Sequence, residues 1–103
     1  MKRNRDDECG KWSHKNDFPL EEVWNTNHEI AKLTVPRLKA FRALERHGHP
    51  AEFSTVREWN AALDKMIYAF ELSMYPDGPD LEHQNDYKIG MSLFCRFFQY
   101  LWD

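Results

Sequence analysis

Apolar positions recur at steps of three and four along most of this chain, and no segment alternates with period two over a useful length. The pattern predicts helices and no sheet. Val23, Trp24, Asn27, Ile30, Ala31 and Leu33 share helical spacing from about Glu21 to Thr34. Asp17-Phe18-Pro19-Leu20 reads as the start of that helix, with Glu21-Glu22 well placed for the helix dipole. Pro36 lacks a backbone donor and biases Val35 toward an extended form, so a kink or break is expected there. Leu38, Phe41 and Leu44 then share one stripe, with Gly48 as the expected C-cap and Pro50 just beyond.

Thr55-Val56-Arg57-Glu58 has the form of a capping box, hydroxyl first and carboxylate three residues on. From it Val56, Trp59, Leu63, Met66 and Phe70 make a seam suited to packing on another helix. Asp77-Gly78-Pro79 supplies the turn chemistry that ends this helix. A last helix from about Asp80 carries Tyr87, Met91, Phe94, Phe98 and Leu101, with Phe97 and Trp102 widening the stripe. Gly90 inside it costs about 1 kcal/mol relative to Ala, and such a residue marks a close helix crossing. The expected fold is all-α. It is a compact bundle of three to four helices over residues 18–103, with a kink or break at Pro36 and a flexible polar arm over residues 1–17.

Composition alters this picture in two ways. Aromatic residues make up 15% of the 103, and each one buried removes about 150–250 Å² from water. Trp24, Trp59, Trp102 and the C-terminal phenylalanines are therefore the expected core. The net charge is −3, and the one basic run, Lys2-Arg3-Asn4-Arg5, is cancelled by Asp6-Asp7-Glu8. That is not the clustered positive charge that phosphate neutralisation needs, so nucleic acid is not the expected partner. No stretch approaches the ~20 apolar residues of a membrane helix, and the polar N-terminus does not read as a signal peptide. With only Cys9 and Cys95, far apart, cytoplasmic residence is the expectation, and Cys95 reads as a small buried hydrophobe.

Candidate chemistry is sparse. His47-Gly48-His49 offers two imidazoles but lacks the third and fourth ligands of a zinc site. His28-Glu29-Ile30-Ala31-Lys32 has Lys32 where a zinc-protease helix needs its second histidine. There is no Gly-rich phosphate loop and no nucleophile elbow. His83, near Glu82 and Asp86, is the best cluster for a small hydrolase, and its spacing supplies no oriented partner in particular. The sequence predicts no catalytic residue, metal or cofactor, and hence no enzyme.

Polar residues on or beside the apolar stripes carry more information: Asn27, Arg37, Asp64, Lys65, Glu71 and Arg96. A buried polar group must be paired, so these either bond one another, reach water, or line a pocket between helices. Trp12, Tyr68, Tyr75 and Tyr100 add more aromatic surface than the interior needs. Asn27, Arg37, Lys65, Tyr68, Arg96 and Trp102 are accordingly the candidate binding residues. Aromatic rings with Arg suit a protein interface or self-association into a homo-oligomer. Cations with rings also suit a small nucleotide.

Several separated motifs fall in one order: Val23-Trp24-Asn25, Ile30-Ala31-Lys32, Pro36-Arg37-Leu38, Gly48-His49-Pro50, Leu63-Asp64-Lys65-Met66-Ile67-Tyr68-Ala69-Phe70-Glu71 and Leu101-Trp102-Asp103. In this the chain, from about Phe18 to Asp103, resembles a set of small uncharacterised proteins encoded by bacteriophages. The resemblance implies a phage protein acting in the infected bacterial cytoplasm. Its implied role is non-enzymatic binding: inhibition of a host defence protein by occupancy, or, as the alternative, oligomeric capture of a nucleotide signal. The expected partners are thus a host or phage protein, or a small nucleotide. Some relatives carry extra residues between the third and fourth helices, where this chain has only the Pro76–Asp80 turn.

Overall fold

A computed structural model describes residues 18–46, 48–75 and 77–102. Four helices follow in order: α1, Glu21–Trp24; α2, Thr26–Ala43; α3, Val56–Leu72; and α4, Gln84–Phe97. Short 3₁₀ turns, Leu81–His83 and Phe98–Tyr100, flank α4. The fold is an all-α bundle. No strand occurs among the described residues. The expected N-terminal arm, with Trp12, lies outside them.

α3 is the centre. Trp59, Ala62, Leu63, Met66, Ile67 and Phe70 are buried along it, and Trp59, Leu63 and Met66 are almost wholly enclosed. α2 covers one side of this seam with Ala31, Val35 and Leu38, and α4 covers another with Phe97 and the partly buried Met91, Leu93 and Phe94. The capping box forms at the predicted place: Thr55 Oγ1 accepts from the Glu58 amide at 3.2 Å. The Glu58 carboxylate reaches back to the amide of Ser54, one residue before the cap, at 2.7 Å.

α4 approaches α3 most closely at Gly90. A Cβ there would overlap the carbonyl oxygen of Lys65 and stand 2.5 Å from the Cβ of Ala69. The missing side chain is what permits the contact, as its position inside a helical stripe predicted. Gly78, with φ of 71°, supplies the left-handed residue in the turn between α3 and α4.

Three features differ from the sequence expectation. The helical interruption falls at Asn25 (φ −124°, ψ 47°), while α2 continues through Pro36. Pro36 has no N–H for the Lys32 carbonyl, and the Arg37 guanidinium donates to the next carbonyl, that of Leu33, at 2.7 Å. Gly48 does not cap α2, which ends at Ala43. Arg46 turns back instead and donates to the carbonyls of Phe41 and Arg42 at 2.7 and 2.6 Å, a side-chain cap that satisfies the last acceptors of the helix. The third difference is the C-terminus. α4 stops at Phe97, and the 3₁₀ turn after it advances fewer residues per turn than an α-helix. Phe97 stays buried, while Phe98 and Trp102 are rotated outward, at 62% and 76% exposed. Trp24 is also exposed, so of the three tryptophans expected in the core only Trp59 lies there.

Candidate functional site

A depression of about 320 Å³ lies where the end of α2, the 44–55 connection, the start of α3 and the C-terminal turn meet. Phe41, Gly48, His49, Pro50, Trp59, Tyr100 and Trp102 line it. Its floor is rigid because the rings beneath it are locked together. Phe53 packs on Trp59 at 5.5 Å and on Phe97 at 5.0 Å, and Trp59 meets Phe97 edge-on at 5.8 Å. Arg46 clamps the adjoining corner: its guanidinium caps α2, stands over the Phe41 ring, and donates to Asn60 Oδ1 on α3. The His49 Nδ1 lies 3.0 Å from the Pro50 carbonyl, to which it can donate. The rim is therefore amphipathic: an indole, a phenol and an imidazole around an apolar floor.

A second depression, about 250 Å³, opens between the end of α3 and the turn before α4 and is lined by Tyr68, Glu71, Leu72, Tyr75, Gly78, Asp80 and His83. The partner of His83 is neither Glu82 nor Asp86, the neighbours the sequence suggested. It is Asp80, whose Oδ1 lies 2.6 Å from the His83 Nδ1 and also accepts from the His83 amide at 3.0 Å. That hydrogen bond holds the Asp80 carboxyl below its ordinary value and lifts the His83 imidazole above its own. Burial chiefly raises the Tyr68 phenol, whose ring stands edge-on to His83 at 6.3 Å. Asp80 and His83 form an oriented base, but no Ser, Thr or Cys lines this depression beside them. Asp80 also caps the 3₁₀ turn, which explains the pair without any chemistry.

A third depression, about 620 Å³, runs along α1 and the first half of α2, lined by Phe18, Glu22, Val23, Thr26, Glu29, Ile30, Lys32, Leu33 and Arg37. No residue from Phe18 to Ile30 is buried.

The six residues singled out from sequence are spread across the molecule. Tyr68, Trp102 and Arg37 each line a different depression, and Asn27, Lys65 and Arg96 line none of the three. Asn27 was placed on an inward face; it is exposed, because α2 buries the face of Ala31, Val35 and Leu38. The other odd polar groups are largely explained by pairing. Asp64 receives Arg42 in a two-pronged ion pair at 2.5 and 3.1 Å, and Glu71 lies 3.5 Å from Lys39. Arg96 stands over the Phe97 ring at 5.2 Å. Arg46 and Asp80 were missed in the sequence reading: one sits in a loop after a helix end, the other was taken only as a helix start. Cys95, expected inside, is exposed on α4.

Among the described residues no three His, Cys, Asp or Glu side chains converge as a metal site would require, and His47 lies outside them. No helix among them is long and apolar enough to cross a membrane. No family model matches this chain, and no curated protein or solved structure matches it either. The likeness to phage proteins rests on the sequence motifs alone.

Proposed function

We propose that this chain is a small non-enzymatic binding protein that acts by occupying a surface of another protein. In the phage setting implied by its motifs, that partner is a host defence protein in the bacterial cytoplasm. The observation that carries the reading is the C-terminal aromatic end. Trp102 stands 76% exposed on the wall of an apolar depression, which the exposed Tyr100 also lines. A lone exposed aromatic is ordinary. Two together on the wall of a hollow floored by packed rings resemble the anchors of a protein interface.

A nucleotide ligand finds less support. Its phosphates need cations beside the rings, and among the described residues no Lys or Arg lines the depression that holds Trp102. An acyl or phosphoryl transfer would centre on Asp80 and His83, where the described lining holds no Ser, Thr or Cys and its only hydroxyls are the Tyr68 and Tyr75 phenols.

The test is capture from bacterial lysate on the immobilised chain, compared with Trp102→Ala and Tyr100→Ala, followed by calorimetry with the captured protein purified. A partner bound by the native chain and lost from both variants, at unchanged melting temperature, supports the proposal. Equal capture by variants and native chain, or a partner that binds neither in purified form, rejects it. Stabilisation by one nucleotide in a thermal-shift panel would move the reading to signal capture; saturating ligand at a hundred times its Kd adds about 2.7 kcal/mol.

A further inference from the structure

We propose that the depression at the C-terminal aromatic end takes a proline-rich segment of its partner, bound as a polyproline II helix across Tyr100 and Trp102. This rests on the protein-binding role proposed above and names the chemistry of the segment bound. Every side chain on the described lining is aromatic, imidazole or proline, apart from Gly48, which has none. The wall therefore offers donors, the Trp102 indole N–H and the Tyr100 hydroxyl, and neither a carboxylate nor a side-chain amide as acceptor. Trp102 and Tyr100 stand 76% and 45% exposed, within reach of an incoming chain.

An ordinary peptide laid on such a floor strands its backbone N–H groups against rings, and each stranded donor weakens binding. Proline has no N–H to strand. Its carbonyls make no internal hydrogen bonds in the polyproline II helix, so they are acceptors that an indole and a phenol can serve. The pyrrolidine rings are apolar and pack on aromatic faces. The segment arrives already ordered, so little entropy is lost on binding. Other modes of peptide recognition fit less well. Strand addition needs a sheet edge, and no strand occurs among the described residues. A docked helix is about 10–12 Å across and needs a long groove, whereas this hollow holds about 320 Å³. Acidic or phosphorylated motifs need an Arg cluster, and the described lining has no Lys or Arg. Residues 1–17 of this chain contain no proline, so its own N-terminal stretch is not that segment.

The probe is capped decaproline, titrated into the full isotope-labelled chain and followed by nuclear magnetic resonance, with a capped Gly-Ser peptide of the same length as control. The Trp102 indole signal, identified by its loss in Trp102→Ala, should shift to saturation with decaproline and stay in place with Gly-Ser. Trp102→Ala should weaken binding by about tenfold or more, followed on the remaining signals. Tyr100→Phe keeps the ring and removes the donor; it should weaken binding by about threefold at unchanged melting temperature. Decaproline that shifts no signal of the aromatic end at millimolar concentration overturns the proposal. So does equal binding of the Gly-Ser peptide, or binding that both variants leave unchanged. Nuclear Overhauser contacts from Trp102 to residues 1–17 or to a second copy, in place of contacts to the peptide, overturn it as well. If Trp102-dependent capture from lysate persists in any of these cases, the aromatic end still binds a protein, but not through proline.

Discussion

Between α3 and α4 the chain dispenses with a side chain so that two backbones can meet, while on the outer face of α2 it leaves Ile30 and Leu33 more than half exposed. Gly90 and Leu33 stand for the two regions. At Gly90 a single added carbon has no room, because Lys65 and Ala69 already occupy its place. At Leu33 more than half of the side chain faces solvent. The first region is a finished interface within one chain. The second has the apolar content of an interface, and α3 and α4 do not cover it. The contrast shows that apolar periodicity reports how many faces a helix intends to cover, not which molecule covers them.

The difference can be broken or sharpened by substitution. The largest effect is expected in the central seam. Leu63→Ala or Met66→Ala should cost about 2–5 kcal/mol, read by urea unfolding, since both side chains are wholly enclosed. Leu33→Ala removes the same group as Leu63→Ala and, in dilute solution, should change stability by less than about 0.5 kcal/mol. Equal losses would mean that the open face is covered within the monomer. Next is Gly90→Ala. The helix gains about 1 kcal/mol of intrinsic propensity, but α3 and α4 are forced apart, and a net loss of about 2 kcal/mol is expected. A stabilised variant would show that α4 is loosely docked.

Smaller effects belong to the C-terminal turn. Leu101 packs on the core, and Leu101→Ala should lower the melting temperature by several degrees, about 1 kcal/mol in a domain of this size. Trp102→Ala should leave it within experimental scatter, because the indole is mostly outside. Comparable losses would return Trp102 to the core. The smallest effect is the pH dependence of the turn between α3 and α4. Its hydrogen bond is complete with Asp80 ionised and His83 protonated. Its contribution therefore fades as pH rises through the lifted His83 value, and fades again as pH falls through the lowered Asp80 value. Amide exchange at His83 should be slowest between those limits, and His83→Gln should remove the high-pH step.

Much of the architecture could be read from local pattern. The start of α3 at Thr55 and the turn at Gly78 each depend on residues within a turn of one another, and the buried stripe of α3 and the bare Gly90 on α4 show in the spacing of a single helix. Helical spacing and capping chemistry are local, so sequence determines them directly. What sequence could not assign was which of two apolar faces on α2 turns inward, because Ala31-Val35-Leu38 and Ile30-Leu33 are both legitimate stripes. Asn27 was misplaced for that reason. The pairs Arg42 with Asp64, Arg46 with Asn60 and Asp80 with His83 were likewise visible as residues but not as partners. The first joins two helices, the second ties a loop residue to a helix, and the third depends on the path of a turn. The C-terminal aromatics are the clearest case. Their number and spacing were written in the chain, but where α4 gives way to a 3₁₀ turn decides that Phe97 goes in and Trp102 comes out. That outcome belongs to tertiary structure, since a change of helical pitch of a few tens of degrees per residue is worth little locally and is settled by what the neighbouring helices leave uncovered.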